Sequence, residues 1–319
     1  MFFALDFLFY FYSMATFLIA VHVLFPLCRY LLYEVNMGEG FNLRRDVYMR
    51  VASLVRQLRD SGHNYILVLP PWGSLYHWRT LELGDLWFDL QSLSRFIPVL
   101  ELQDYLREVD RPVIDQLYHL QHFADWDKWE EKYDFIQCPK IPYFQATPGH
   151  WKGWFWKYDE IYASNVTCLS VMGFAKTLKP LVLSSWNTSI RSIMLDRAEV
   201  ILHDEFGSAD YWKARRSMRY SAALVKIADD FRRSVLNSTD VNDGTVMDPD
   251  WTKVKVRSKT TTGGPYIAVH WRRQDYLMAH GDELPSIEGT AATLSSLAER
   301  LNLKTIFLAT DASDKGIAF

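Results

Sequence analysis

Apolar and polar positions along this chain switch repeatedly between two periods. Residues 30–35 (YLLYEV) form a short apolar run with the length and residue types of a buried strand. The run breaks at Asn36, Gly38 and Gly40, and a helical pattern follows, with Val47, Val51, Leu54, Val55 and Leu58 on one face and Gly62 as the stop. Residues 65–69 predict a second strand, ended by Pro70 and Pro71. Between 79 and 190 the pattern is mixed, with strand-like pieces such as 96–100. Helices are predicted over 191–203 and over 212–236, where Tyr220, Leu224, Ile227, Ala228 and Phe231 keep helical spacing. The stretch 237–264 is polar and reads as an interdomain linker. A strand–helix–strand unit follows at 266–270, about 286–301 and 305–309. No internal repeat or low-complexity tract interrupts this order.

The first strand–turn–helix carries the candidate chemistry. The start of a helix offers unpaired N–H groups and the positive end of its dipole to whatever sits in the preceding turn. Glu39 places a carboxylate there, where a site for phosphate alone would avoid negative charge. That combination points to a base beside a phosphorylated ligand; the plainer reading is an ordinary turn with a solvated glutamate. Leu43 stands where a dinucleotide fingerprint needs its third glycine, and no ribose-binding acid follows at the usual distance, which argues against a nicotinamide enzyme. A second candidate lies where the strand at 266–270 runs into His270-Trp271-Arg272-Arg273-Gln274-Asp275. Arginine at a strand's carboxyl end suits a diphosphate because its guanidinium is a planar, permanently charged fork. Pairing of Arg272 or Arg273 with Asp275 is the structural alternative.

Composition narrows the class. With 319 residues, 49% of them hydrophobic, the chain can bury one large or two medium cores, and a net charge of −3 gives no sign of a nucleic-acid partner or an anionic membrane surface. Residues 1–29 are a different material: up to Leu27 they hold a single charge, Asp6, and are long enough to span a bilayer. A basic amino-terminal region and a clean cleavage site are both missing, so the two readings are an atypical signal sequence and an uncleaved signal-anchor. Three N-glycosylation sequons begin at Asn165, Asn187 and Asn237. Cys138 and Cys168 are the only cysteines outside the leader; in an oxidising compartment such a pair is expected to bond, and two buried thiols are the alternative. Trp151, Trp154 and Trp156 could form a sugar-stacking platform, but core or loop anchoring is the favoured reading. Asp125-Trp126-Asp127 matches the short DxD of metal-dependent glycosyltransferases without an apolar strand before it, and His119 and His122 lack further ligands. No metal site is therefore expected.

Several motifs in fixed order resemble one family. GEGFNLRRD at 38–46, LVLPPWGSLYHW at 67–78, LDRAEVILHDEFG at 195–207, RRSM at 215–218 and GGPYIAVHWRRQDY at 263–276 are similar to the GDP-fucose protein O-fucosyltransferase 2 family, over about residues 30–311. The pattern along the chain divides it into an N-terminal lobe over 30–240, a linker over 241–264 and a C-terminal lobe from 265 to 319, and the resemblance likewise implies an α/β, GT-B-like fold of two Rossmann-like lobes. It implies an inverting, metal-free enzyme of the endoplasmic reticulum lumen. GDP-fucose is the implied donor, Ser or Thr of folded thrombospondin type 1 repeats the implied acceptor, and the enzyme is expected to be a monomer. Carried over residue by residue, Glu39 is the general base, and the turn at Gly40, Phe41 and Asn42 approaches the donor. His270 lies beside the nucleotide, and Arg272 holds the diphosphate. A bridge between Cys138 and Cys168 would match the family. Trp271 departs from the leucine usual between His270 and Arg272, and the residues after 265 supply only one strand–helix–strand unit of the second lobe. The expectation is thus a C-terminally truncated second lobe with impaired transfer, or a non-catalytic acceptor-binding remnant.

Overall fold

A computed structural model describes residues 28–72, 87–109, 111–124, 128–254, 261–273, 276–277 and 281–312. The leader and the DxD at Asp125–Asp127 lie outside the described residues. The chain forms two compact units, one up to Ser221 and one from Ala222.

The first unit is built on a nine-stranded sheet, among the described residues: β1 (Arg29–Tyr33), β2 (Tyr65–Leu69), β3 (Val99–Glu101), β4 (Val113–His122), β5 (Lys132–Ile136), β6 (Tyr143–Thr147), β7 (His150–Gly153), β8 (Tyr162–Met172) and β9 (Ser192–Asp196). The order is β3-β2-β1-β9-β4-β8-β7-β6, with β5 paired to β8. Strands β3 to β8 along that order are parallel, and β5, β6 and β7 add antiparallel pairs at one edge. From β1 the chain runs to β2 and β3 on one side and later returns to β9, β4 and β8 on the other. This makes the carboxyl end of β1 a topological switch point, where open α/β sheets bind ligands.

Both faces of the central strands are covered, as a parallel sheet requires. Tyr30 and Leu32 join a buried cluster with Val68, Tyr105, Leu117 and Met194, while Leu31 and Tyr33 are equally buried on the other face. Helix α1 (Phe41–Asp60) buries Val47, Val51, Leu54, Val55 and Leu58, the stripe its sequence predicts. Each such side chain contributes about 1.5–3 kcal/mol on burial. The helix ends at Ser61, and Gly62 follows at φ 84°, a left-handed conformation in which any other residue except asparagine is costly.

Two of the helices read from the sequence differ in the structure. The segment 191–203 holds no α-helix: Ser192–Asp196 is the wholly buried central strand β9, and Arg197 then turns left-handed (φ 59°) into a short 3₁₀ turn. A five-residue apolar run buried on all sides has no periodicity to tell strand from helix. The segment 212–236 is two helices, α2 (Ala209–Ser217) and α3 (Ala222–Val235). They part because the backbone between them pairs sideways: Asp89 N–H donates to Arg219 O (2.9 Å) and Ser221 N–H to Trp87 O (3.0 Å). Strands β4 and β8, hidden in the mixed stretch, make the longest pairing in the sheet.

Cys138 and Cys168 form a disulfide that ties the loop after β5 to the sheet interior at β8. Closing a loop with a sequence separation of 30 is worth about 3–4 kcal/mol in the chain-entropy account. A Cys138→Ser/Cys168→Ser variant is expected to unfold at a markedly lower temperature in a thermal melt; an unchanged midpoint would show that the bridge adds nothing.

The second unit contains α3, a short helix at Asp240–Asp243, and a parallel pair, β10 (Ile267–Trp271) and β11 (Ile306–Thr310), joined through helix α4 (Ile287–Leu301). Phe231 of α3 contacts Phe307 of β11, with ring centroids 5.6 Å apart. Arg232 binds Asp240 (2.8 Å) and Asp243 (3.1 Å), so the start of the polar stretch 237–264 is held against α3. Helix α4 starts at a Ser286 cap, whose hydroxyl accepts from Gly289 N–H, and ends at Asn302 in the left-handed region.

Candidate active site

Glu39 sits in the turn at the carboxyl end of β1. The backbone of Glu34 continues the sheet, with its N–H donating to Leu195 O (3.0 Å) and its carbonyl accepting from Ala198 N–H (2.9 Å). The chain then turns over Asn36–Glu39, closed by a hydrogen bond from Glu39 N–H to Asn36 O (3.0 Å). Asn36 N–H donates to Glu199 Oε2 (3.2 Å). Met37 is exposed and Glu39 half-buried, so the carboxylate stands at the rim of the sheet rather than in the core.

Gly40 is the N-cap of α1, in extended conformation and without a side-chain cap, and the helix's first turn carries no acidic side chain. The start of a long helix therefore follows directly on the turn that holds Glu39. Asn42 is exposed. Phe41 has a further role: its ring packs on Trp72 (5.5 Å), Trp87 (5.1 Å), Phe88 (6.2 Å) and Tyr220 (6.4 Å). This aromatic group pins the start of α1, and the Arg45 guanidinium lies 5.7 Å above the Phe41 and Tyr220 rings.

Beneath the turn is a buried charged layer that sequence reading missed. Arg44 pairs with Glu34 at 2.8 Å, with both side chains buried. Burial pushes the Glu34 carboxyl up from its ordinary range, and the Arg44 charge opposes that rise. His119 Nδ1 lies 2.7 Å from Asp196 Oδ2, on neighbouring strands whose Cα atoms are in register. Further along α1, Asp46 binds His203 (2.8 Å) and Arg50, and Arg50 also donates to Glu199 O (3.1 Å). Burial would raise the Asp46 carboxyl, but the bonds from His203 and Arg50 outweigh it and hold the group low.

The second unit presents the other candidates at the carboxyl end of β10. His270 is exposed, and Trp271 is buried at 8%. Arg273 is engaged locally: its N–H donates to Asp311 Oδ1 (2.6 Å), and its guanidinium lies 4.7 Å from the Trp271 ring. Thr310 Oγ1 donates to Trp271 O (2.6 Å), which ties the ends of β10 and β11 together. Arg272 is exposed on this frame, 6.0 Å from the Tyr276 ring. Asp275, its alternative partner from the sequence, lies outside the described residues. The tryptophan at 271 is thus a stacking base for Arg273, a reason for that residue that sequence alone did not supply.

Among the described residues no group of three or more histidine, cysteine, aspartate or glutamate side chains is placed to hold a metal, and no helix is long and apolar enough to cross a membrane. His119 is a core histidine. His122, at the end of β4, is held below its usual range by burial. Trp151 and Trp156 pack partly buried against the core cluster. Asn165, Asn187 and Asn237 are all exposed.

Comparison with known proteins places the chain in a family. The family model for GDP-fucose protein O-fucosyltransferase matches residues 30–318. The chain is 52% identical to GDP-fucose protein O-fucosyltransferase 2 of Caenorhabditis elegans, over 91% of this chain and 69% of that protein. It is 46% identical to the Homo sapiens protein of the same name, over 90% of this chain and 68% of that one. Among solved structures, apo POFUT1 superposes with a TM-score of 0.56 at 11% identity, covering 91% of this chain and 80% of POFUT1. POFUT1 in complex with GDP gives 0.55 at 12%, covering 90% and 79%. At such low identity the likeness speaks to the fold, which is α/β and GT-B-like with Rossmann-like units.

Proposed function

Since the chain belongs to the GDP-fucose protein O-fucosyltransferase family, we propose that it moves fucose from GDP-fucose to Ser or Thr hydroxyls of folded thrombospondin type 1 repeats in the endoplasmic reticulum lumen. The observation that carries this reading is the position of Glu39: a carboxylate at the sheet's switch point, in a turn that leads into a helix whose N-cap, Gly40, brings no side-chain cap. The Glu39 carboxylate takes the proton of the acceptor hydroxyl while that oxygen attacks the anomeric carbon from the face opposite GDP. The bond from the anomeric carbon to the diphosphate breaks, its electrons leave with GDP, and configuration inverts. A base acts in this way only within hydrogen-bond reach of the hydroxyl.

Gly40, Phe41 and Asn42 offer backbone N–H groups to the donor, His270 flanks the nucleotide, and Arg272 offsets the charge that develops on the leaving diphosphate. A guanidinium takes the part that a metal ion plays elsewhere, so the reaction proceeds without one. The acceptor class is supported by the motif set shared with the type 2 enzymes. The lumenal setting is supported by the Cys138–Cys168 bridge and the three exposed sequons. The enzyme acts as a monomer.

The test is transfer by the protein secreted from cells, with GDP-fucose and a folded thrombospondin repeat as substrates, read by intact-mass spectrometry. A gain of one deoxyhexose on the repeat is expected; no gain from folded, secreted protein would overturn the proposal. The secretory route has its own check. Each of Asn165→Gln, Asn187→Gln and Asn237→Gln is expected to remove one glycan step from the electrophoretic mobility. Mobility unaffected by all three would show that the chain does not meet the lumenal glycosylation machinery.

A further inference from the structure

We propose that Arg44 is the positioning residue for Glu39, holding the β1–α1 turn in shape through the carbonyl groups of that turn. This inference rests on the reading of Glu39 as the base. Arg44 lies one turn into α1, is buried at 7%, and reaches back under the loop. Its guanidinium donates to Glu34 Oε1 (2.8 Å), to Val35 O (3.3 Å), to Asn36 O (3.3 Å) and, through Nε, to Glu39 O (3.3 Å). The Glu34 carboxylate in turn accepts from Val35 N–H (2.7 Å). One side chain thus binds four points spread over the six residues from Glu34 to Glu39, including the carbonyl of Glu39 itself.

The rest of the turn has few ties. Beyond the closing bond from Glu39 N–H to Asn36 O, Asn36 N–H reaches Glu199, and Gly40 brings no side-chain cap. Asn36, Met37 and Gly38 are exposed, and the space beside the Gly38 Cα is open. The planar fork of arginine can span several carbonyls at once, whereas lysine is a point charge with a compact head. Glu34 balances the Arg44 charge, so the clamp adds no net positive field that would hold Glu39 away from an incoming hydroxyl. A reacting group displaced by about 1 Å loses on the order of 100-fold in rate, so the hold on this turn bears directly on turnover.

Arg44→Lys separates position from charge, because the lysine still neutralises Glu34. By hydrogen–deuterium exchange, amides of residues 35–40 are expected to exchange roughly tenfold faster in this variant, while α1 from Val47 to Leu58 keeps its protection. Transfer is expected to fall by roughly 10–100-fold in kcat, with KM for GDP-fucose within about twofold. In a Glu39→Ala background the same substitution should cost little further, since its effect runs through Glu39. Unchanged exchange over 35–40 in a folded Arg44→Lys protein would overturn the inference, as would an equal rate loss in both backgrounds. If Arg44→Lys does not fold, Glu34→Gln serves instead. It keeps the carbonyl bonds and loosens one anchor, so a smaller rise in exchange over the same residues is expected, and no rise overturns the inference. Retained transfer in Glu39→Ala alone would remove the base assignment, while the exchange measurement would still decide what Arg44 holds.

Discussion

Replacing Glu39 with alanine is expected to lower fucose transfer by at least about 100-fold while leaving GDP affinity nearly unchanged, since a positioned general base contributes roughly 10²–10⁴ in rate. The expectation follows from what surrounds the turn. Glu34, five residues earlier, is buried and held by Arg44 at 2.8 Å, so its carboxylate is committed to the loop. Glu199 accepts from the Asn36 N–H (3.2 Å) and pairs with Arg197 (3.3 Å). Neither neighbour can take over a proton that Glu39 no longer accepts. The donor contacts assigned to this turn are backbone N–H groups, which the substitution leaves in place. Initial rates with GDP-fucose and a folded repeat, beside calorimetric titration with GDP, separate the two effects. Glu39→Gln, which keeps the shape and loses the basicity, should fail equally. Transfer persisting in either variant above about a tenth of the wild-type kcat would move the base elsewhere.

The turn that carries Glu39 was legible in the sequence because its signals are local. A short apolar run, a break at Asn36, Gly38 and Gly40, and an apolar stripe at helical spacing define β1, the turn and α1 within 32 residues. The pair β10 and β11, with α4 between them, was legible for the same reason, each boundary falling within one residue of its predicted place. Strand β9 was not, because Ile193, Met194 and Leu195 are buried between β1 and β4 whatever face they turn to, and burial on all sides erases periodicity. The split of the segment 212–236 was hidden because its cause lies in residues 87–89, far away in sequence. The Arg44 clamp was hidden for a different reason: most of its partners are main-chain carbonyls, which every residue possesses and no pattern announces. Arg44 and Arg45 are adjacent and identical in type, yet one lies beneath the loop and the other above an aromatic cluster. Helical geometry alone separates them, by about 100° around α1.

Two adjacent arginines also stand at the end of β10, and the expectation for Arg272 differs from that for Arg273. Of the two at the end of β10, Arg273 is bound into the frame: its guanidinium lies 4.7 Å from the Trp271 ring and its N–H donates to Asp311 (2.6 Å). Arg272 is exposed one residue past the strand, where the carboxyl end of a parallel pair favours a ligand. Its assigned task, holding the diphosphate and offsetting the charge that grows on it as the sugar departs, belongs more to the transition state than to the bound donor. Arg272→Ala is therefore expected to weaken GDP-fucose binding and, beyond that, to slow turnover. The combined loss in kcat/KM should be about 10²–10³-fold, the range measured for a single electrostatic donor worth about 3–4 kcal/mol. Arg272→Lys keeps the charge without the fork and should recover part of the binding but little of the turnover. Arg273→Ala is the control: it should lower the melting temperature through the lost stack on Trp271 while leaving the ratio of kcat to its wild-type value close to one. Equal effects from the two arginines on transfer, or unchanged turnover in Arg272→Ala at saturating donor, would transfer the diphosphate to some other cation and leave Arg272 as a surface residue.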